Sequence, residues 1–221
     1  MKKILMSLTT LVIGSLPLCA SLAQDIKGDP AVGKSKVTLC IGCHGIKGYQ
    51  ASFPEVYRVP MISGQGAPYI VSALTAYQKG ERKHPTMRGI ASTLSDQDKA
   101  DVAIYFEVLG KVGAVPALGK AAIGTEAAMA LVKKGACVVC HGDNFSRPIN
   151  PSYPKIAGQH GDYLFAALKA YKTDDNPNVG RSNPVMRSVV MQFSNAELKE
   201  LALYVSSLPG ELKTVPQSDF K

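Results

Sequence analysis

Apolar side chains recur at Val102, Tyr105, Phe106 and Leu109, and again at Leu201, Tyr204, Val205 and Leu208. The i, i+3, i+4, i+7 spacing sets each group on one face of a helix, so the pattern predicts an amphipathic helix over about 96–109 and a counterpart near the C-terminal end of the chain, each burying one stripe. Each opens on a capping box, Ser95 with Asp98 and Ser194 with Glu197, in which hydroxyl and carboxylate satisfy the first backbone donors reciprocally. Another helix is predicted over 67–79. Asp29 followed by Pro30 starts an earlier one that runs into the segment "CIGCHG" at 40–45.

A different pattern occupies the first residues. "MKK" precedes an apolar run from Ile4 to Leu16, followed by "SLA" at 21–23, with small residues where a signal peptidase reads. The run is shorter than the roughly 20 apolar residues a membrane span needs and meets Pro17. Residues 1–23 therefore read as a cleaved secretory signal peptide, and the rest of the chain as exported to the periplasm. Composition adds little: 46% hydrophobic and 19% charged residues among 221 are ordinary for a globular protein of one or two domains.

Removing Cys19 with the signal leaves Cys40, Cys43, Cys137 and Cys140. In an oxidising compartment four cysteines can form two disulfides. Here, however, both pairs are C-x-x-C and both are followed at once by histidine and glycine, in "CIGCHG" and in "CVVCHG" at 137–142. C-x-x-C-H is the attachment site of a c-type haem. Two thiols on one helical turn can form thioethers to the two vinyl groups, and the adjacent imidazole, His44 or His141, then lies under the iron. A zinc site would need further ligands at suitable spacing, and a thiol redox pair would not need a histidine in both copies. The reading is two covalently bound haem c groups.

The doubled motif belongs to an internal repeat. "PMISGQ" at 60–65 answers "PKIAGQ" at 154–159, "APYIVSALTAYQKG" answers "GDYLFAALKAYKTD", and residues 85–106 lie without a gap over 184–205. Each repeat reads as three short helices with haem-binding loops between them. The overlay sets Met87 against Met186, at 43 and 45 residues beyond their histidines, and sets Met191 against Ser92. Met87 and Met186 are thus the candidate sixth ligands, and Met191, like Met61 and Met129, is assigned to core or loop packing. His84, three residues before Met87, is the rival for the first iron; its counterpart is Asn183. His160 reads as an exposed or capping residue. Arg88 and Arg187 follow the two methionines, as solvated side chains or as neighbours of a haem propionate.

With these residues in view, the chain from about 25 to 208 resembles a dihaem cytochrome c of the cytochrome c4 type. The resemblance implies an all-α fold: two tandem class I cytochrome c domains, each about three main helices around a covalently bound haem. Domain 1 would span 24–112, a Gly- and Ala-rich linker 113–122, and domain 2 with a short C-terminal tail 123–221. It further implies His44 with Met87 and His141 with Met186 on the irons. Pro60 and Pro154 would offer carbonyls to the ligand imidazoles, a contact that fixes the ring. The loop from His44 to Pro60 is three residues longer than that from His141 to Pro154, so propionate contacts do not transfer across it.

An iron with both axial positions filled has no place for substrate, which favours electron transfer over oxygen or peroxide chemistry and makes a dihaem peroxidase the weakest reading. The expected role is a periplasmic electron carrier, not an enzyme, between a quinol-oxidising complex or dehydrogenase and a terminal oxidase or other acceptor. The alternative is the dihaem subunit of a dehydrogenase such as flavocytochrome c sulfide dehydrogenase. The formal net charge is +8. Losing the signal lysines leaves +6, with +3 on 24–115 and +3 on 116–221, and four ionised propionates would bring it to about +2. No basic stripe with interleaved aromatics supports nucleic-acid binding. Surface lysines fit brief encounters with acidic faces of redox proteins, and peripheral membrane association stays open.

Overall fold

The computed structural model describes residues 26–111 and 125–217; the signal sequence at 1–23 and the linker at 113–122 lie outside the described residues. The first half runs α1 (Pro30–Lys36), α2 (Thr38–His44), β1 (Gln50–Ala51), β2 (Tyr57–Arg58), α3 (Ala67–Lys79), β3 (Arg82–Lys83), α4 (Pro85–Ser92) and α5 (Asp96–Leu109). The second runs α6 (Glu126–Lys134), α7 (Cys137–His141), α8 (Gly161–Ala170), β4 (Gly180–Arg181), α9 (Pro184–Val190) and α10 (Asn195–Ser207). The fold is all-α apart from two short antiparallel pairs, β1 with β2 and β3 with β4.

Local chemistry accounts for the helix ends. Asp29 caps α1 by accepting from Ala31 and Val32 N–H, with Pro30 in the first turn, where a missing donor costs nothing. Both expected capping boxes are formed, at Ser95/Asp98 and Ser194/Glu197. Two differences from the sequence reading are physical. The helix expected to run unbroken into the first C-x-x-C-H is split at Val37 (φ −90°, ψ 4°), whose side chain is driven into the core. The methionine segments, read as loops, are the short helices α4 and α9, each begun by a proline and capped by His84 or Asn183 accepting from the N–H of Met87 or Met186.

Two apolar cores result. In the first, Val102, Tyr105 and Phe106 of α5 bury against Val37, Ile70, Leu74 and Tyr77; in the second, Leu201, Tyr204, Val205 and Leu208 bury with Val132, Phe145, Leu164 and Phe193. α1 crosses α5 so closely that a Cβ on Gly33 would stand 2.1 Å from the Asp101 carbonyl oxygen, a contact only glycine permits. Lys36 spans Asp98 and Asp101 at 2.6 and 2.8 Å beside that crossing.

The halves meet in an arrangement with approximate two-fold character. β3 pairs antiparallel with β4, Arg82 opposite Arg181. The β1–β2 hairpin reaches over α8, where Arg58 pairs with Asp162 at 3.0 Å and Glu55 with Lys169 at 2.6 Å. The segment after α10 returns to the first half, Lys213 N–H donating to the Ser63 carbonyl at 2.9 Å. Among the described residues no helix is long and apolar enough to cross a membrane.

Candidate functional site

Each C-x-x-C-H motif forms a single helical turn, at the end of α2 and in α7. None of the four cysteines is in a disulfide. Burial pushes the Cys40 thiol up to about 11 and raises that of Cys137, so both sites disfavour a thiolate and suit a neutral sulfur such as a thioether. Among the described residues no three His, Cys, Asp or Glu side chains converge as a metal cage.

The histidines are held in register by backbone carbonyls. His44 Nδ1–H donates to the Pro60 carbonyl at 2.8 Å, and His141 Nδ1–H to that of Pro154 at 3.1 Å. These bonds fix the tautomer and leave Nε2 as the basic nitrogen. Burial lowers the pKa of both imidazoles, outweighing the carbonyls, and so keeps them in the neutral form that can bind a metal.

His44, Met87, His141 and Met186 all line one continuous cavity of about 990 Å³ that passes through both halves, with Cys43, Cys137 and Cys140 on its wall. That is the upper end of the roughly 300–1,000 Å³ of a small-molecule site. The lining is mostly apolar, with thiols, both imidazoles and both methionines among it. This donor set fits a flat apolar macrocycle with a central metal.

The remaining sequence candidates fall as follows. Met191 ends α9 and is 54% exposed; Met129 is 49% exposed on α6. Neither fills a core, because each falls on the outer face of its helix. Met61 is part-buried and lines the cavity. His84 spends Nδ1 on the Met87 N–H at 3.3 Å and packs edge-on to Tyr77. His160 sits at the start of α8 without making a side-chain cap. Arg187 bonds the Tyr171 carbonyl and Asp174, Arg88 is exposed, and neither lines the cavity.

The arginines that do line it are Arg82 and Arg181, which the sequence reading passed over. They stand at equivalent places in the repeat, five residues before Met87 and Met186, and that symmetry was the available signal. Tyr69, Tyr77, Tyr163 and Tyr171 surround them as two further repeated pairs. Burial raises the pKa of the Tyr163 hydroxyl, but the adjoining Arg82 and Arg181 charges prevail and bring it down to about 8.

A profile for the family described as cytochrome c matches residues 125–209. The chain is 32% identical over 199 residues to a cytochrome c4 of Stutzerimonas stutzeri, covering 82% of this chain and 90% of that protein. It is 32% identical over 187 residues to a thiosulfate dehydrogenase electron acceptor of Stutzerimonas stutzeri, covering 79% and 81%. Among solved structures it is similar to reduced recombinant cytochrome c4 from Pseudomonas stutzeri, with a TM-score of 0.57 at 28% identity, over 82% of this chain and 99% of the other.

Proposed function

The chain belongs to the cytochrome c4 family, and from that premise we propose a periplasmic electron carrier in which His44 and Met87 hold one haem iron and His141 and Met186 the other. The protein is a dihaem electron-transfer cytochrome with both haem c groups covalently bound. The thioethers form at Cys40 and Cys43 in domain 1, residues 24–112, and at Cys137 and Cys140 in domain 2, residues 123–221. The haems supply the redox chemistry, each iron passing between ferric and ferrous states.

The chain's own part is to position and to insulate. Pro60 and Pro154 carbonyls hold the two imidazoles at fixed rotation. Met87 and Met186 are set on helices begun by proline and capped by the residue before it; as ligands they would leave the irons no place for substrate and would favour the ferrous state. The two apolar cores would keep water from a bound haem, so that little would reorganise when its charge changes. One observation carries the reading: the same His–Pro carbonyl bond occurs twice, and both histidines and both methionines at equivalent places in the repeat line one cavity.

Proton NMR of the fully reduced, diamagnetic protein tests it. Two sets of strongly upfield-shifted methionine methyl resonances are expected, one per haem; a single set means that one iron carries another ligand. For partners, the likeness to a thiosulfate dehydrogenase electron acceptor supports a dehydrogenase of small sulfur compounds as donor beside a quinol-oxidising complex. Stopped-flow reduction by each donor, followed at the haem bands, decides between them.

A further inference from the structure

The first half carries an arm that the second lacks. β1 and β2 form a hairpin within the loop from His44 to Pro60, which is three residues longer than its counterpart. Two ion pairs hold the hairpin on α8, Arg58 with Asp162 at 3.0 Å and Lys169 with Glu55 at 2.6 Å. Between them Tyr57 packs on Tyr163, ring centroids 5.8 Å apart. Among the described residues the counterpart loop, 142–153, forms no strand, and it turns Phe145 into the second core.

The arm does the opposite with its apolar side chains. Ile46, Tyr49, Phe53 and Val56 are all exposed, Phe53 by 56% and Val56 by 70%. Tyr49 and Phe53 nonetheless line the cavity, so they stand where it opens to solvent. Ile46 N–H donates to the Cys43 carbonyl at 3.3 Å, which sets the string of exposed residues beside the first C-x-x-C-H turn. Charge along it has one sign: no carboxylate occurs between Asp29 and Glu55, and Glu55 is neutralised by Lys169. Lys47 is exposed next to Ile46 and has no carboxylate in salt-bridge range among the described residues. In the second half, two residues beyond His141, Asp143 stands where the first half has Ile46.

Adjoining exposed apolar side chains mark an interaction site more than scattered ones do. We propose that the arm is the docking surface for a redox protein with an apolar centre and an acidic rim, which exchanges electrons with the chain at the first haem. The ion pairs to α8 hold the arm in place beforehand, so docking costs little ordering. Four side chains and one free cation make a small contact, of the kind that brief electron-transfer encounters use. A bilayer fits the arm less well, because stable anchoring takes an apolar anchor together with a polybasic patch, and Lys47 is a single charge. A second copy docking through the same patch would bring Lys47 against Lys47.

The assignment rests on the two-haem carrier reading, so haem content and both midpoint potentials are measured on every preparation. V56S and K47E change the arm without touching the cavity wall, and V108S changes an exposed valine of α5 outside it. Stopped-flow exchange is followed with a thiosulfate dehydrogenase, a quinol-oxidising complex and a terminal oxidase. With the partner that uses the arm, V56S and K47E should each slow second-order transfer by roughly tenfold, and K47E should flatten the fall of the rate with ionic strength. V108S, the midpoint potentials and reduction by ascorbate at high salt should stay at the parental values. Unchanged rates with all three partners overturn the docking surface, as does an equal slowing by ascorbate, which marks a damaged haem site. Flotation with phosphatidylglycerol vesicles that V56S abolishes assigns the arm to a membrane, and a dimer that V56S dissociates assigns it to a second copy; either overturns the proposal. A parent protein that exchanges electrons with none of the three partners overturns the carrier reading itself.

Discussion

Gln65 and Gln159 grip each other's half of the molecule through equivalent pairs of backbone groups. Gln65 donates to the Lys155 carbonyl and accepts from Lys155 N–H, both at 2.9 Å. Gln159 donates to the Met61 carbonyl at 2.8 Å and accepts from Met61 N–H at 3.0 Å. Met61 and Lys155, which differ in type, are equivalent in the repeat, and the glutamines are among the four residues that "PMISGQ" and "PKIAGQ" share. Each is only 4% exposed.

Truncating either glutamine strands one buried N–H and one buried carbonyl in the opposite half. At about 1–3 kcal/mol for an unmet buried group, Q65A and Q159A are each expected to destabilise by about 2 kcal/mol and to broaden the unfolding transition as the halves uncouple. Guanidinium denaturation followed at both haem bands and by far-UV dichroism checks this. A change within about 0.5 kcal/mol, the range of an ordinary surface substitution, means that water replaces the clasp without loss.

Met186 lies against the second apolar core and on the cavity wall, while Met191 ends the same helix half-exposed. M186A is expected to abolish the weak near-infrared sulfur-to-iron band of the second haem and to lower its potential. M191L should leave both nearly unchanged and cost under about 1.5 kcal/mol. Survival of the band in M186A with its loss in M191L would make Met191 the ligand.

The two methionine helices are capped by different residues in the same geometry, His84 for α4 and Asn183 for α9. Asparagine is among the best N-caps and alanine among the worst. H84N should therefore preserve both stability and the first haem's near-infrared band, whereas H84A should cost about 1 kcal/mol and weaken that band as Met87 loses its anchor. A spectrum that changes as much in H84N as in H84A would show His84 acting on the iron by more than a cap.

Much of this was legible in the sequence because short-range chemistry decides it. The capping boxes at Ser95 and Ser194, the stripe at Val102, Tyr105 and Phe106, and the bounds of α3 and α5 follow from residues within one or two helical turns. The doubled cysteine motifs and the repeat register gave the family. What was missed depends on groups far apart in sequence. Val37 breaks the first helix because the core claims its side chain. Met191 was assigned to packing, yet its place on the outer face depends on how α9 is rotated. Arg82 and Arg181 belong to no motif, and only the pairing of β3 with β4 brings them together across some hundred residues.

Acid should attack the fold through the same capping boxes that define its longest helices. The Glu197 carboxylate accepts from Ser194 N–H at 2.6 Å and from Lys134 Nζ at 3.1 Å. The Ser194 backbone bond first, then the Ser194 hydroxyl and Lys134, bring its pKa down from an ordinary 4.5 to about 2. Asp98 is lowered likewise by Lys36 and Ser95. A folded-state pKa below the unfolded value means that the ionised carboxylate favours folding. Its contribution is complete above about pH 4.5 and is lost as pH falls toward 2. E197Q removes the charge but leaves an amide oxygen for the Ser194 N–H, so it should be less stable than the parent at pH 6 and should narrow that gap steadily between pH 4.5 and 2. Urea midpoints from far-UV dichroism at half-unit steps of pH measure this, provided that the denaturant slope is constant. An E197Q curve parallel to the parental one throughout that window would show that Glu197 is not tied to folding through its charge.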